Sequence, residues 1–144
     1  MIYLREAINE DRDLLYEWVN DPETRRASFH SDIINYEEHC RWFEKILMDN
    51  GELQYILMDD NVPVGQIRLT LEGEDAMVSY SIAPDKRGQG YGKEIIRLIQ
   101  EVARDDSDIH RLVAQVKTSN IASISCFEKC GFVEEYHQYT YETD

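Results

Sequence analysis

The apolar positions of the chain follow two rhythms, short runs of strand length in the middle and helical spacing on either side. Leu53 to Asp59, Val64 to Leu71 and Met77 to Ile82 read as strands. Asp60-Asn61-Val62-Pro63 joins the first pair and Glu72-Gly73-Glu74-Asp75 the second, which predicts an antiparallel meander. Upstream, Ile2 to Glu6 reads as a first strand. Asn9 can cap a helix with Glu10 and Asp11 in its first turn and Leu14, Leu15 and Trp18 on its apolar face, ending at Asp21-Pro22. His39, Trp42, Phe43, Ile46 and Leu47 recur at i, i+3, i+4, i+7 and i+8, behind a capping-box-like Asn35 and Glu38. Downstream, Ile95, Ile96, Leu98, Ile99 and Val102 mark a helix over Lys93 to Arg104. A strand over Arg111 to Lys117, a helix from Asn120 stopped by Gly131 and a tyrosine-rich strand around Phe132 to Tyr141 complete the order. With no repeat, low-complexity tract or linker in sight, this predicts one α+β domain over residues 1–144.

One segment stands apart from both rhythms. Arg87-Gly88-Gln89-Gly90-Tyr91-Gly92 lies between the last meander strand and a helix start. Alternating glycines let a turn adopt positive φ and bring backbone N–H groups close to a ligand, and the helix start adds unsatisfied donors and a positive dipole end. A phosphate or pyrophosphate suits such a turn, and Arg87 can add a charge-assisted contact. The spacing is neither the dinucleotide fingerprint nor the P-loop, and a glycine-rich connector that binds nothing has the same composition.

Charge and cysteine usage narrow the partners. Fifteen Lys and Arg against 29 Asp and Glu leave a formal net charge of −14, which opposes sequence-independent binding to nucleic acid or an anionic membrane. The expected partner is a small molecule or a protein. No apolar run approaches the ~20 residues of a membrane span, and Met1 to Glu6 lacks the order of a secretion signal. Cys40, Cys126 and Cys130 are odd in number and lack framework spacing, which fits reduced thiols in the cytoplasm. No nearby His or Cys pair completes a metal site around Cys126 and Cys130, so no metal is expected.

Two motifs in register give these features a shared meaning. Arg87, Gly90 and Gly92 match the Arg/Gln-x-x-Gly-x-Gly/Ala turn of the GNAT superfamily of N-acetyltransferases. Asn120, Ser123, Gly131 and Phe132 match its later Asn-x-x-Ala/Ser motif ending in Gly-Phe, and the element order resembles that fold over nearly the whole chain. The resemblance implies a central mixed, mostly antiparallel sheet flanked by helices, with two strands splayed to admit acetyl-CoA as the acetyl donor. It implies donor contacts from Ile82, from Arg87, Gly88, Gln89, Gly90, Tyr91, Gly92 and Lys93, from Asn120 and from Phe127. Trp18-Val19-Asn20-Asp21-Pro22 with Arg25, and Glu37-Glu38-His39 with Trp42-Phe43, further resemble the GNAT enzymes of pseudaminic-acid biosynthesis, which acetylate a UDP-linked amino sugar. Tryptophan and phenylalanine at helical spacing also serve as plain core.

The implied reaction is direct attack of a neutral amine on the thioester carbonyl, through a tetrahedral oxyanion and loss of the CoA thiolate. A backbone N–H near Ile82 could hold the oxyanion. Many family members protonate the thiolate with a tyrosine of the late motif, but that slot here is Phe127, so Tyr80 on the strand before the glycine turn is the substitute candidate. Cross-strand packing is its other use. His39 has the pKa of a general base and lies on the acceptor side; a hydrogen-bonded helix-face histidine is the alternative. Arg25 and Arg26 form a positive spot suited to a substrate diphosphate, and Trp42, His39 and Tyr80 complete the expected acceptor contacts. The acceptor is thus expected to be a nucleotide-linked amino sugar, with a protein N-terminus or polyamine as the alternative and a non-catalytic acyl-CoA-binding module as a third reading. A monomer or a homodimer is compatible with the tyrosine-rich end (Tyr136, Tyr139, Tyr141).

Overall fold

A computed structural model describes residues 1–143. Five strands form one sheet in the order β1-β2-β3-β4-β5: β1 (Ile2–Glu6), β2 (Glu52–Asp59), β3 (Val62–Glu72), β4 (Asp75–Ile82) and β5 (Arg111–Ala114). The first three pairings are antiparallel and the β4–β5 pairing is parallel, as the crossover through a helix requires. The helices are α1 (Arg12–Val19), α2 (Pro22–Ala27), α3 (Tyr36–Met48), α4 (Tyr91–Arg104) and α5 (Ile121–Lys129).

Successive residues of a strand face opposite sides of the sheet, and the chain uses this to build two cores. Leu57, Ile67 and Leu69 pack with Ile95, Ile96 and Ile99 of α4 and with Phe127 of α5. Ile56 and Met58 point the other way and pack with Leu15 and Trp18 of α1 and Phe43 of α3. At ~25 cal/mol per Å² of apolar surface removed from water, these layers supply most of the drive to fold.

The caps are local and specific. The Asn35 side chain accepts from the N–H groups of Glu37 (2.8 Å) and Glu38 (3.4 Å), so the expected start of α3 is observed. Asn120 accepts from Ser123 N–H (3.2 Å) and starts α5. Several boundaries differ from the expectation. Asn9 to Asp11 form a short 3-10 turn, and α1 begins only at Arg12. Asp21-Pro22 follows the end of α1 as expected, and it also opens α2, an element not expected from the sequence. Asp21 is the N-cap, accepting from Thr24 N–H (3.1 Å), and Pro22 takes the first helical position, where its missing N–H costs nothing. β3 starts at Val62, so the hairpin turn is only Asp60-Asn61, with Asp60 at φ 54°. β5 stops at Ala114 rather than Lys117, and residues 132–143 form no strand. The tyrosine alternation that predicted one leaves Tyr136, Tyr139 and Tyr141 exposed, with no sheet edge against them.

Candidate active site

The site begins where the sheet comes apart. β4 pairs with β5 from Asp75↔Arg111 to Val78↔Ala114, and no β5 partner exists for Ser79, Tyr80, Ser81 or Ile82. Those four residues keep their β3 partners, from Gly65↔Ile82 to Arg68↔Ser79, while the far side of that stretch of β4 has no strand partner. The expected splay therefore lies beside Tyr80 and Ile82.

Beyond β4, a 3-10 turn over Pro84–Lys86 leads to Arg87 and the glycines. Gly88 and Gly90 sit at φ 75° and 87°, in the left-handed region that other residues enter at a cost of ~1–2 kcal/mol. Gly90 is the N-cap of α4 and offers no side chain to its first N–H groups. Those donors, at the positive end of a 14-residue helix, are left for a ligand. A Cβ on Gly88 or Gly90 would meet nothing within 4 Å, so the space over the turn is open. Gly88, Gln89 and Gly90 are exposed, whereas Tyr91, Gly92 and Lys93 are half-buried. A turn of this shape fits a pyrophosphate held by backbone donors.

Arg87 differs from the expectation. Its guanidinium turns away from the glycines to Asp21 Oδ2 (2.5 Å), Thr24 Oγ1 (3.1 Å) and Glu23 Oε2 (2.7 Å), tying the turn to the first residues of α2. Burial alone would raise the Asp21 carboxyl, but the bonds from Arg87 and Thr24 N–H prevail and hold it below the usual range.

Tyr80 reaches into the layer of α4 and α5. Its Oη is 2.6 Å from Ser123 Oγ, and its ring meets the edge of Phe127 at 5.6 Å and 82°. A Cβ built on Gly92 would lie 3.9 Å from that hydroxyl and 3.1 Å from Cys126 Sγ, which places the phenol oxygen beside the first turn of α4. Burial raises the phenol to about 12, against a lowering by Ser123. Phe127 is 7% exposed and edge-on to Phe132 at 4.9 Å. It is core, and the Tyr80 ring that meets it edge-on comes from β4. The Asn120 side-chain oxygen caps α5.

The acceptor-side residues are arranged differently from the expectation. His39 is 2% exposed; its Nε2 donates to the Arg12 carbonyl (2.8 Å) and its ring stacks on Phe43, with Trp42 and Tyr16 beside it. Burial lowers its pKa, and the sheet lies between it and the layer that holds Tyr80. The ring glues α3 to α1, so the structure does not present it as a base for an incoming amine. Arg25 is 9% exposed, and its guanidinium is satisfied internally by the carbonyls of Val19 (2.6 Å), His30 (2.9 Å) and Asp32 (3.4 Å) and by Ser28 Oγ (3.1 Å). It holds the α2–α3 connection, with four of its five N–H donors engaged inside the protein. Arg26 is exposed, and its carbonyl accepts from Lys117 Nζ (2.8 Å). Trp42 is 37% exposed and covers the Arg68 guanidinium at 5.1 Å. No sequence signal beyond the late motif's serine pointed to Ser123 as a partner for Tyr80, because a contact between β4 and α5 leaves no mark of spacing.

Comparison with known proteins agrees with this layout. The spermidine N(1)-acetyltransferase of Vibrio cholerae is 22% identical over 134 residues, covering 90% of this chain and 72% of that protein. The aminoglycoside N(6')-acetyltransferase type 1 of Klebsiella pneumoniae is 23% identical over 149 residues, covering 91% and 73%. Among solved structures, the Vibrio cholerae spermidine N-acetyltransferase with CoA and spermine superposes with a TM-score of 0.87 at 22% identity, over 94% of this chain and 83% of that one. The aminoglycoside acetyltransferase AAC(6')-Ib with coenzyme A gives a TM-score of 0.81 at 20% identity, over 94% and 86%. These likenesses establish the fold. Residues 2–133 match the family described as the acetyltransferase (GNAT) domain, and the chain belongs to that family.

Proposed function

We propose that the protein transfers the acetyl group of acetyl-CoA to a primary amine of a small polycationic acceptor, by direct attack in a ternary complex. The pyrophosphate rests on the N–H groups of the Gly88 to Lys93 segment, and the thioester lies in the splay beside Ile82. The amine nitrogen forms its bond to the carbonyl carbon, and the C–S bond breaks as the Tyr80 O–H donates to the departing sulfur. The proton lost by the amine passes to solvent, and solvent restores the phenol's proton. A CoA thiol has a pKa near ~8.5 and leaves readily, so the phenol's part is to stabilise the developing thiolate. Tyr80→Phe is expected to lower kcat ~10²-fold with little change in the acetyl-CoA KM. An unchanged kcat would remove Tyr80 from the chemistry.

One observation carries the choice of acceptor: Arg25 is turned inward. The acceptor-side surface then exposes Glu23, Asp32, Glu37 and Glu38 against Arg26 and Arg41, in a chain of net charge −14. Such a surface attracts cations. The relatives named above act, by their names, on spermidine and on aminoglycosides, both rich in amines. A nucleotide-linked amino sugar remains the second reading, because Lys117 sits against Arg26 and the two could share a phosphate. Thiol release measured with polyamines, aminoglycosides, UDP-amino sugars and peptides separates these readings. Turnover confined to UDP-amino sugars would overturn the polycation, and tight CoA binding with no thiol release from any amine would leave a binding module. Ordinary alkyl amines ionise near ~10.4, so kcat/KM for a polyamine should rise with pH across the neutral range.

A further inference from the structure

Resting on the reading of Tyr80 as the donor to the departing thiolate, we propose that Ser123 is a positioning residue that holds the phenol oxygen and donates to it as the proton leaves. The two hydroxyls are 2.6 Å apart, a short separation for two neutral groups. Either can be the donor, and the two choices differ in consequence. If Tyr80 donates to Ser123, its proton points away from the splay. If Ser123 donates to Tyr80, one lone pair of the phenol oxygen is occupied and its own proton is free to point at the sulfur. As the proton moves toward the thiolate, the oxygen gains negative charge, and the bond from Ser123 strengthens into a charge-assisted one. The arrangement answers a problem created by burial, which pushes the phenol to about 12 and away from the thiol it must serve, while the Ser123 bond pulls it back.

The backbone explains why Ser123 can do this. It lies in the first turn of α5, where its N–H is already taken by the Asn120 side chain (3.2 Å), so its hydroxyl is not needed for capping. One helical turn later on the same face stands Phe127, whose ring meets Tyr80 edge-on. The late-motif slot that lacks a hydroxyl is thus filled from β4, and the helix contributes a second hydroxyl to hold it.

The test uses Ser123→Ala, Ser123→Thr and Tyr80→Phe, alone and combined, in the full chain. Alanine suits a helix and leaves the Asn120 cap intact, so folding is expected to survive. Two readouts are independent of each other. In the free protein, the ultraviolet phenolate signal of Tyr80, isolated by subtracting the Tyr80→Phe titration, should move to higher pH by at least half a unit in Ser123→Ala and return in Ser123→Thr. In turnover with the best acceptor, Ser123→Ala should lower kcat about tenfold with the acetyl-CoA KM unchanged, less than Tyr80→Phe because the phenol remains. It should do nothing further in the Tyr80→Phe background. An unmoved phenolate signal, or an equal loss of kcat from Ser123→Ala in both backgrounds, overturns the proposal. A moved signal in an enzyme whose kcat ignores Tyr80→Phe would instead fail the reading of Tyr80 and leave the hydroxyl pair as structure alone.

Discussion

From Ser79 to Lys93 the proposed ligand contacts are backbone groups apart from the Tyr80 hydroxyl, whereas from Trp18 to Phe43 the arrangement is set by side chains. The first region needs only an open strand edge, two left-handed glycines and an uncapped helix start. Its donors are fixed by chain geometry, and many side chains are compatible with them. The second region is held by Arg25, Asn20, Asp21, Tyr36 and His39, each bonded to a group far enough away that no local pattern reveals the pairing. A site made of backbone tolerates change in its surroundings. A site framed by side chains can alter its acceptor by a few substitutions while the donor end stays the same.

The largest test of the difference is Arg25→Ala. Three carbonyls and a serine hydroxyl lose their donor at a site that is 9% exposed. Hydrogen bonds to charged groups are worth ~1.5–3 kcal/mol, and unpaired acceptors add to the loss, so about 3 kcal/mol of stability should go. For a chain of this size the melting temperature falls by roughly 2–4 °C for each kcal/mol, hence by about 6–12 °C. Arg25→Lys should not restore it, because an ammonium cannot span the same fork. CoA affinity measured by calorimetry on the folded fraction should change less than about twofold if the two regions are separable. A large loss of CoA affinity would show that they are one unit.

Gly90→Val is the reverse experiment. No atom stands within 4 Å of the new Cβ, so the protein itself does not clash, yet φ is 87°. A β-branched residue in the left-handed region costs at least ~1–2 kcal/mol, and its branches rise over the helix donors. About 2 kcal/mol would be a ~30-fold loss of CoA affinity. Melting should change less than in Arg25→Ala. Intact CoA affinity would break the backbone account of the cradle.

Legibility in the sequence follows the same division. The meander, α3, α4 and the Asn120 cap could be read because propensity, period and capping are local signals, and the glycine turn could be read because only glycine populates those dihedrals freely. The partners of Arg87 are not legible, because nothing local shows that Asp21, Glu23 and Thr24 start a helix beside it. Pro22 is a stop signal for the helix before it and equally good as a first helical residue, so its residue type does not choose between the two. By residue type His39 suits a base and Arg25 a diphosphate, and no local pattern shows that internal carbonyls take up their donors instead. The tail after Phe132 shows the limit of alternation, since alternation alone does not pair a segment with an edge, and β5 has a neighbour on one side only.

Asp21→Asn probes one of the direct ties between the regions, beside those from Arg87 to Glu23 and Thr24. Asparagine caps a helix as well as aspartate, so the bond from Thr24 N–H survives and only the charge opposite Arg87 is lost. The pair is partly exposed, and roughly 1 kcal/mol is a fair upper size for it. Binding constants for CoA and for the acceptor should each shift by no more than about fivefold. The double variant with Arg87→Gln should cost less than the sum of the two single changes. Strict additivity would mean that Asp21 and Arg87 do not meet in solution, and only Glu23 and Thr24 would then tie the donor turn to α2.

His39→Gln carries the smallest effect and separates glue from chemistry by its pH dependence. Burial lowers the imidazole below its ordinary value near 6.5, with the Arg12 carbonyl bond opposing, so the folded protein keeps the ring neutral after the unfolded chain has begun to take a proton. Where the unfolded state binds more protons, stability falls as pH falls. The loss from His39 therefore begins as pH drops through about 6.5 and continues down to the folded pKa, whereas the losses from Asp11, Asp13, Asp21 and Asp75, all lowered from 3.8, begin only near that lower pH. The slope cannot exceed ~1.4 kcal/mol per pH unit for one proton. Glutamine has a side-chain amide that can donate to the same carbonyl but does not titrate, so His39→Gln should flatten the melting temperature between pH 6.5 and the carboxylate range. The acid limb of kcat/KM should stay where it was. A limb that moves with this substitution would return His39 to the chemistry, and would require α1 and α3 to part during turnover so that the ring could meet the amine.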